Sequence, residues 1–135
     1  MERTYTTPLP DKLGVRPGMR IAIVGPVDES SGIRDLLAER TTDVTDGEPL
    51  PDTDLVFLAA DEPEELDRLG ELRTRIRPNG AIWVVSRKGR AATLRDVDVI
   101  DAAKDHGLVD NKVVSFSDTH TSLRLVIPVA LRPRT

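Results

Sequence analysis

The chain contains no cysteine, which excludes disulfide staples and thiolate metal sites and suits a reducing interior. Aromatic residues are scarce, with one Trp, one Tyr and two Phe, so the sequence offers no stacking platform for bases. Positive charge does not dominate either: the formal net charge is -4 and the pI is about 5.2. A duplex-binding domain instead shows a basic stripe that neutralises phosphates, so nucleic acid is not an expected partner. No apolar run approaches the roughly 20 residues that span a bilayer, and the opening Met1-Glu2-Arg3-Thr4-Tyr5-Thr6-Thr7-Pro8 has no apolar signal core. A cytoplasmic protein with no membrane partner is the expectation. His106 and His120 stand in separate segments without clustered acids, so no metal site is predicted.

What is present is organised around residues 54–86. Leu55-Val56-Phe57-Leu58-Ala59-Ala60 and Ala81-Ile82-Trp83-Val84-Val85 are continuous apolar runs joined by an amphipathic helix and an Asn79-Gly80 turn. Two such runs cannot form a hairpin across a helix. They predict a right-handed β-α-β crossover in a sheet covered on both faces. With 135 residues the chain fits a single Rossmann-like α/β domain with its own core, in which residues 1–12 and 130–135 are expected to be loosely ordered.

Upstream, Met19-Arg20-Ile21-Ala22-Ile23-Val24-Gly25 reads as a first strand. A helix capped by Ser30 or Ser31 follows, with Ile33, Leu36 and Leu37 on one face. Thr42-Asp43-Val44-Thr45 is a short edge strand at most, and Asp46 to Thr53 reads as a turn-forming loop. The helix after the Leu55 run is expected to open at Asp61 as its cap and to bury Leu66, Leu69, Leu72 and Ile76, with Arg77-Pro78-Asn79-Gly80 ending it. The next helix takes Thr93 as cap, turns Leu94, Val97, Ile100 and Ala103 inward and stops at Gly107, with Leu108 closing a Schellman contact. Lys112-Val113-Val114-Ser115-Phe116-Ser117 and Ser122-Leu123-Arg124-Leu125-Val126-Ile127 are separated by four polar residues. That gap is too short for a crossover, so they form an antiparallel hairpin.

A mostly parallel sheet ending in such a hairpin resembles the class I methyltransferase fold. Leu13-Gly14-Val15-Arg16-Pro17-Gly18-Met19-Arg20-Ile21 is similar to the lead-in of that fold's first strand, Asp54-Leu55-Val56 to its fourth, and Arg77-Pro78-Asn79-Gly80-Ala81-Ile82 to the Pro-Gly-Gly turn before its fifth. The chain also resembles an uncharacterised bacterial family of short proteins, a domain of unknown function. Lys12-Leu13-Gly14 through Gly25, Trp83 with Lys88, and Leu108-Val109-Asp110-Asn111-Lys112-Val113 carry that likeness, and Arg87 stands where the family has proline.

The methyltransferase resemblance implies an acid and a glycine-rich turn after the first strand, where missing Cβ atoms let the backbone approach S-adenosylmethionine. Here Ile23 replaces the acid, and Pro26, Val27 and Glu29 fill the space around Gly25. Asp46 and Glu48 lie in the proline-flanked loop and supply no counterpart to the acid that holds the ribose. No cofactor is expected. The resemblance then implies a non-catalytic domain that binds a protein partner, a second copy of itself or a small anionic ligand. The alternative is an enzyme acting on an anionic metabolite.

Ligands of open α/β sheets bind beyond the carboxyl ends of the strands. The expected site therefore gathers Gly25, Asp28, Asp61, Arg87 and Lys88 with the hairpin tip from Asp118 to His120. Arg87-Lys88-Gly89-Arg90 is either an anion-binding loop or a solvated surface loop. Asp118 and His120 are either a base with its orienting partner or a pair of local turn formers. At the opposite end of the sheet, Lys12, Asp110, Asn111 and Lys112 are either a second polar patch or residues bonding their own turns.

Overall fold

A computed structural model describes residues 7–27 and 31–132. Strands β1 (Ile21–Val24), β2 (Val44–Asp46), β3 (Thr53–Ala59), β4 (Ile76–Arg87), β5 (Val109–Ser115) and β6 (His120–Val126) form one sheet ordered β2-β1-β3-β4-β6-β5. β1 runs parallel to β2 and β3, and β3 to β4, whereas β6 lies antiparallel between β4 and β5. The expected mostly parallel α/β sheet with a C-terminal antiparallel hairpin is the fold the chain adopts.

Alternation along each strand splits the core into two layers. Ala22, Val56, Leu58, Ile82, Val84 and Leu125 pack with Leu69 and Leu72 of helix α3 (Leu69–Arg73) and Val99 and Ala103 of helix α4 (Asp96–Asp105). Here α3 and α4 are the third and fourth helices in chain order, after α1 (Leu9–Lys12) and α2 (Ile33–Ala38). Ile21, Ile23, Leu55, Phe57, Trp83 and Val85 face the other way, against Leu13 and against Ile33 and Leu37 of α2. Trp83 and Phe57 are fully buried, each worth roughly 1.5–3 kcal/mol in apolar burial. The Trp83 indole N–H donates to the Leu13 carbonyl at 3.1 Å, which fastens the segment after α1 onto the sheet.

Leu9–Lys12 form a helical turn that buries Pro10. Ser31 Oγ accepts the Ile33 N–H at 3.1 Å at the start of α2; Ser30, the other expected cap, lies outside the described residues. Ile33 and Leu37 are buried, while Leu36 is only half-buried.

The β3–β4 crossover is a 3-10 helix over Pro63–Arg68 that passes into α3, not one long α-helix. Leu66, Leu69 and Leu72 recur every third residue, the repeat at which side chains eclipse in 3-10 winding, and all three are buried. Asp61 does not cap it: Glu65 Oε1 accepts the N–H groups of both Asp61 and Glu62 at 2.9 Å. Thr74 Oγ1 donates to the Glu71 carbonyl at 2.6 Å, a local bond that competes with further winding. Ile76 consequently starts β4, and Arg77-Pro78-Asn79-Gly80 lies within that strand. The register slips there, with Thr53 opposite Ile76 and Leu55 opposite Ala81.

Helix α4 begins after Arg95 rather than at Thr93, and the Asp98 carboxylate accepts the Arg95 N–H at 2.9 Å. That bond holds the Asp98 carboxyl below its ordinary range. Leu94, Ile100 and Ala103 pack inward as expected, but Val97 is exposed and Val99 is buried in its place. The C-terminus follows expectation, with Gly107 at φ +75°, Leu108 N–H on the Ala103 carbonyl at 2.8 Å and Gly107 N–H on Lys104 at 3.2 Å.

Gly80 sits at the register slip, where a Cβ would lie 2.8 Å from the Asp54 carbonyl oxygen and 3.1 Å from that of Arg77. Both neighbours are backbone and cannot swing away. Gly80→Ala is expected to destabilise the fold by about 1–3 kcal/mol, read as a lower urea midpoint with unchanged m-value.

Candidate functional site

The strand order reverses between β1 and β3, whose carboxyl ends form the topological switch point. Val24, Gly25, Leu58 and Ala59 floor a cleft of about 240 Å³ there, walled by Glu64, Glu65 and Arg68. Glu65 is held by its backbone bonds and Arg68 by an ion pair with Glu48, so the wall presents acid rather than base. Gly25 adopts φ +83° and Val27 N–H returns to the Gly25 carbonyl at 2.9 Å, making a tight turn around Pro26. A Cβ on Gly25 would meet Ala59 Cβ at 3.4 Å; its missing side chain serves the close approach of β3. Val27 is 2% exposed and Ile23 1%, both built into the α2 face of the core. Asp28 and Glu29 lie outside the described residues.

Further along the same rim, the loop after β4 and the tip of the β5–β6 hairpin enclose an open cleft of about 410 Å³ lined by Arg87, Lys88, Ala91, Asp118, Thr119 and His120. Its parts are fixed by local bonds. Lys88 N–H donates to the Thr119 carbonyl at 3.0 Å, joining loop to hairpin, and Lys88 Nζ reaches Ser115 Oγ at 2.7 Å. Asp61 Oδ1 accepts the Arg87 N–H at 2.8 Å, while the carboxylate lies 4.0 Å from Arg87 Nε. Thr93 Oγ1 donates to the Asp61 carbonyl, so Thr93 braces this rim instead of capping α4. His120 Nδ1 is 2.8 Å from Thr119 Oγ1, and Asp118 lines the same cleft. Gly25 lies at the switch-point cleft, away from this cluster of Asp61, Arg87, Lys88, Asp118 and His120.

At the amino end of the parallel strands, Lys112 Nζ donates to the Lys12 carbonyl at 3.1 Å, so these two expected neighbours do meet. Asp110 and Asn111 are not in a turn but in β5, where the register shifts past Asn111: Asp110 pairs with Leu125 and Lys112 with Arg124. Lys12, Lys112 and Arg124 line a cavity of about 110 Å³ beside Trp83, and Arg124 continues into a second, of about 220 Å³, with Arg16, Met19, Asp54 and Asn79. Arg124 was missed in the sequence, although Leu123-Arg124-Leu125 contained the signal: a lone arginine inside a strand whose neighbours are buried. Burial, and then the charge of Arg132, push its guanidinium below the ordinary arginine range.

Asp46 also differs from expectation. It ends β2 opposite Ile23 instead of lying in a loop. It is already engaged, by Arg34 at 2.7 Å, and the hydrogen bond from Arg34 is the main cause holding its carboxyl below the ordinary range.

Six strands with a reversed β6, short crossovers on both faces and a rim of loops at the switch point define a protein of the class I methyltransferase fold. A methyltransferase dependent on S-adenosylmethionine from Aquifex aeolicus superposes over 87% of this chain and 86% of its own, at 16% identity and TM-score 0.64. Fibrillarin from Aeropyrum pernix, solved with natively bound S-adenosylmethionine, superposes over 89% of this chain and 69% of its own, at 14% identity and TM-score 0.55. A pericyclic reaction enzyme superposes over 94% of this chain and 50% of its own, at 11% identity and TM-score 0.56. Such identities establish the fold alone. The chain belongs to the DUF3052 family, described as proteins of unknown function, which it matches over residues 11–129. A comparison with curated proteins finds no match. Among the described residues, no helix is long and apolar enough to cross a membrane.

The Asp61 carboxylate is the brace that holds β4's end to the crossover. Asp61→Ala is expected to cost about 1 kcal/mol and to speed exchange of the Arg87 amide while leaving that of Trp83 unchanged, as read by hydrogen-deuterium exchange.

Proposed function

We propose that this chain is a non-catalytic methyltransferase-fold domain that binds a small anionic ligand in the cleft formed by Arg87, Lys88 and His120. The observation that carries the non-catalytic part is the burial of Ile23 and Val27 at the β1 turn. An adenosyl cofactor needs bare main chain at this bend, and here the bend is filled by side chains that belong to the core. The residues present do not fit S-adenosylmethionine, even though Asp46 occupies the end of β2: its carboxylate is paired with Arg34, and the switch-point cleft beside Gly25 is walled by Glu64 and Glu65.

The basic cleft on the same rim supports an anion as the ligand. Arg87 ends β4 and Lys88 precedes the short 3-10 turn Gly89–Ala91, where the Lys88 backbone is pinned to the hairpin tip, and charge-assisted bonds from an ammonium, a guanidinium and an imidazole suit a carboxylate or a phosphate. Asp118 in the same wall limits the net positive charge, which favours a ligand that also offers a donor.

Isothermal titration of the full chain with S-adenosylmethionine and S-adenosylhomocysteine is expected to give no binding in the micromolar range; micromolar affinity for either overturns the non-catalytic reading. Amide NMR titration with succinate is expected to shift resonances of Arg87, Lys88, Thr119 and His120 saturably. Lys88→Ala should weaken that response about tenfold, or roughly 1.4 kcal/mol. An unchanged response in Lys88→Ala removes the rim cleft from consideration.

A further inference from the structure

Across the C-terminal half of the sheet, Trp83, Arg124 and Lys112 occupy one row, since Arg124 pairs with Trp83 on one side and with Lys112 on the other. Residues directly opposite on an antiparallel pair have Cβ atoms about 4.5–5.5 Å apart, and like charges there are destabilising. The sheet nonetheless sets a guanidinium against an ammonium, on a strand with hydrogen-bonded neighbours along both edges. Among the described residues, the Arg124 side chain makes no hydrogen bond and no ion pair, and the charge that acts on it is that of another cation, Arg132. The guanidinium is half-buried with five donors and no protein acceptor, yet none of its nitrogens is sealed from solvent, so water occupies positions that an anion can take.

The charges around it are unbalanced in the same sense. Lys12 and Arg16 line the two cavities that meet at Arg124, and neither has an ion-pair partner among the described residues. The acids nearby are already used: Asp11 pairs with Arg40 at 2.5 Å and Asp54 with Arg77 at 3.1 Å. Asp54 also accepts the Arg20 N–H, at 2.9 Å. On the rim, by contrast, Arg87 has Asp61 at hand and Asp118 shares the wall. The amino-end site is therefore the more strongly cationic of the two.

We propose that Arg124, Lys112 and Lys12 form a second ligand site, separate from the rim cleft, which binds a phosphate-class dianion under the Lys12-Leu13-Gly14 loop. A guanidinium fork and two ammonium groups match the several acceptors of a tetrahedral oxyanion, and a dianion offsets the repulsion that the sheet otherwise leaves uncompensated. The loop over the site is held at two points, by Trp83 Nε1 on Leu13 and by Lys112 Nζ on Lys12. Gly14, at φ +77°, leaves open space on its free side, where no atom lies within 4 Å of a built Cβ.

Trp83 is the only tryptophan in the chain and lines the smaller cavity, so its emission reports on this site. Inorganic phosphate, titrated into the full chain against chloride at matched ionic strength, is expected to change Trp83 fluorescence saturably. Arg124→Gln and Lys112→Gln should each weaken that response by roughly tenfold, and Lys88→Ala on the rim should leave it unaltered. Because Arg124 has no partner to lose, Arg124→Gln is expected to fold; if it does not, Lys112→Gln and Lys12→Gln decide the matter. A response that chloride reproduces, or one that survives the substitutions in the folded variants, overturns the proposal. Loss of succinate binding in Lys88→Ala, with phosphate binding intact, keeps the two sites distinct.

Discussion

At their centres β1, β3 and β4 present apolar side chains to both faces, and each has a hydrogen-bonded strand on either side, so a helical layer is required above and below. This demand explains why the chain uses crossovers rather than hairpins until its last third. It also explains why polar side chains inside the sheet are few and tied down. Thr53 Oγ1 bonds the Leu50 carbonyl at 2.6 Å and Ser122 Oγ that of Val114 at 2.7 Å. Charge collects at the carboxyl-end rim and, within the sheet, at Arg124 and Lys112 of the hairpin strands, beside which the two basic clefts are found.

A fold shared with methyltransferases does not by itself establish their chemistry. What matters is how the β1 turn uses its residues, and here Gly25 gives up its side chain to let β3 approach, while Val27 folds back into the core. Asp46 stands at the end of β2, opposite Ile23. Its ion pair with Arg34 ties β2 to α2. The pericyclic reaction enzyme of similar shape makes the same general point, that this architecture hosts more than one function.

The two basic regions differ in kind. Around the rim cleft, each backbone group named above has a partner, and Thr119, Ser115 and Asp61 hold the cations in place, as in a site whose geometry is set before any ligand arrives. The amino-end cluster has position but not neutralisation. Arg124 is fixed by a strand, Lys112 by the strand beside it and Lys12 by the loop above, and the acids lining the same cavities, Asp11 and Asp54, are paired with other arginines. Such an arrangement has an electrostatic cost in the bare protein and a corresponding gain when an anion enters.

Period, run length and punctuation determined the architecture. The continuous apolar runs could only be buried parallel strands, four polar residues could only join a hairpin, and Gly107 followed by Leu108 could only be a helix stop, because each pattern is a local consequence of backbone geometry. Tertiary structure decided what local pattern does not encode. Leu66, Leu69, Leu72 and Ile76 read as one helical stripe, but Ile76 belongs to β4, since pairing with Thr53 outweighs one more turn of winding. Asp61 reads as a cap and is instead a brace for Arg87; Asp46 reads as loop and ends a strand. Arg124 gains its meaning only when β6 sets it beside Lys112 and under Gly14, residues far away along the chain. Which charges become neighbours is settled by strand order and register, and those are properties of the whole sheet rather than of any segment within it.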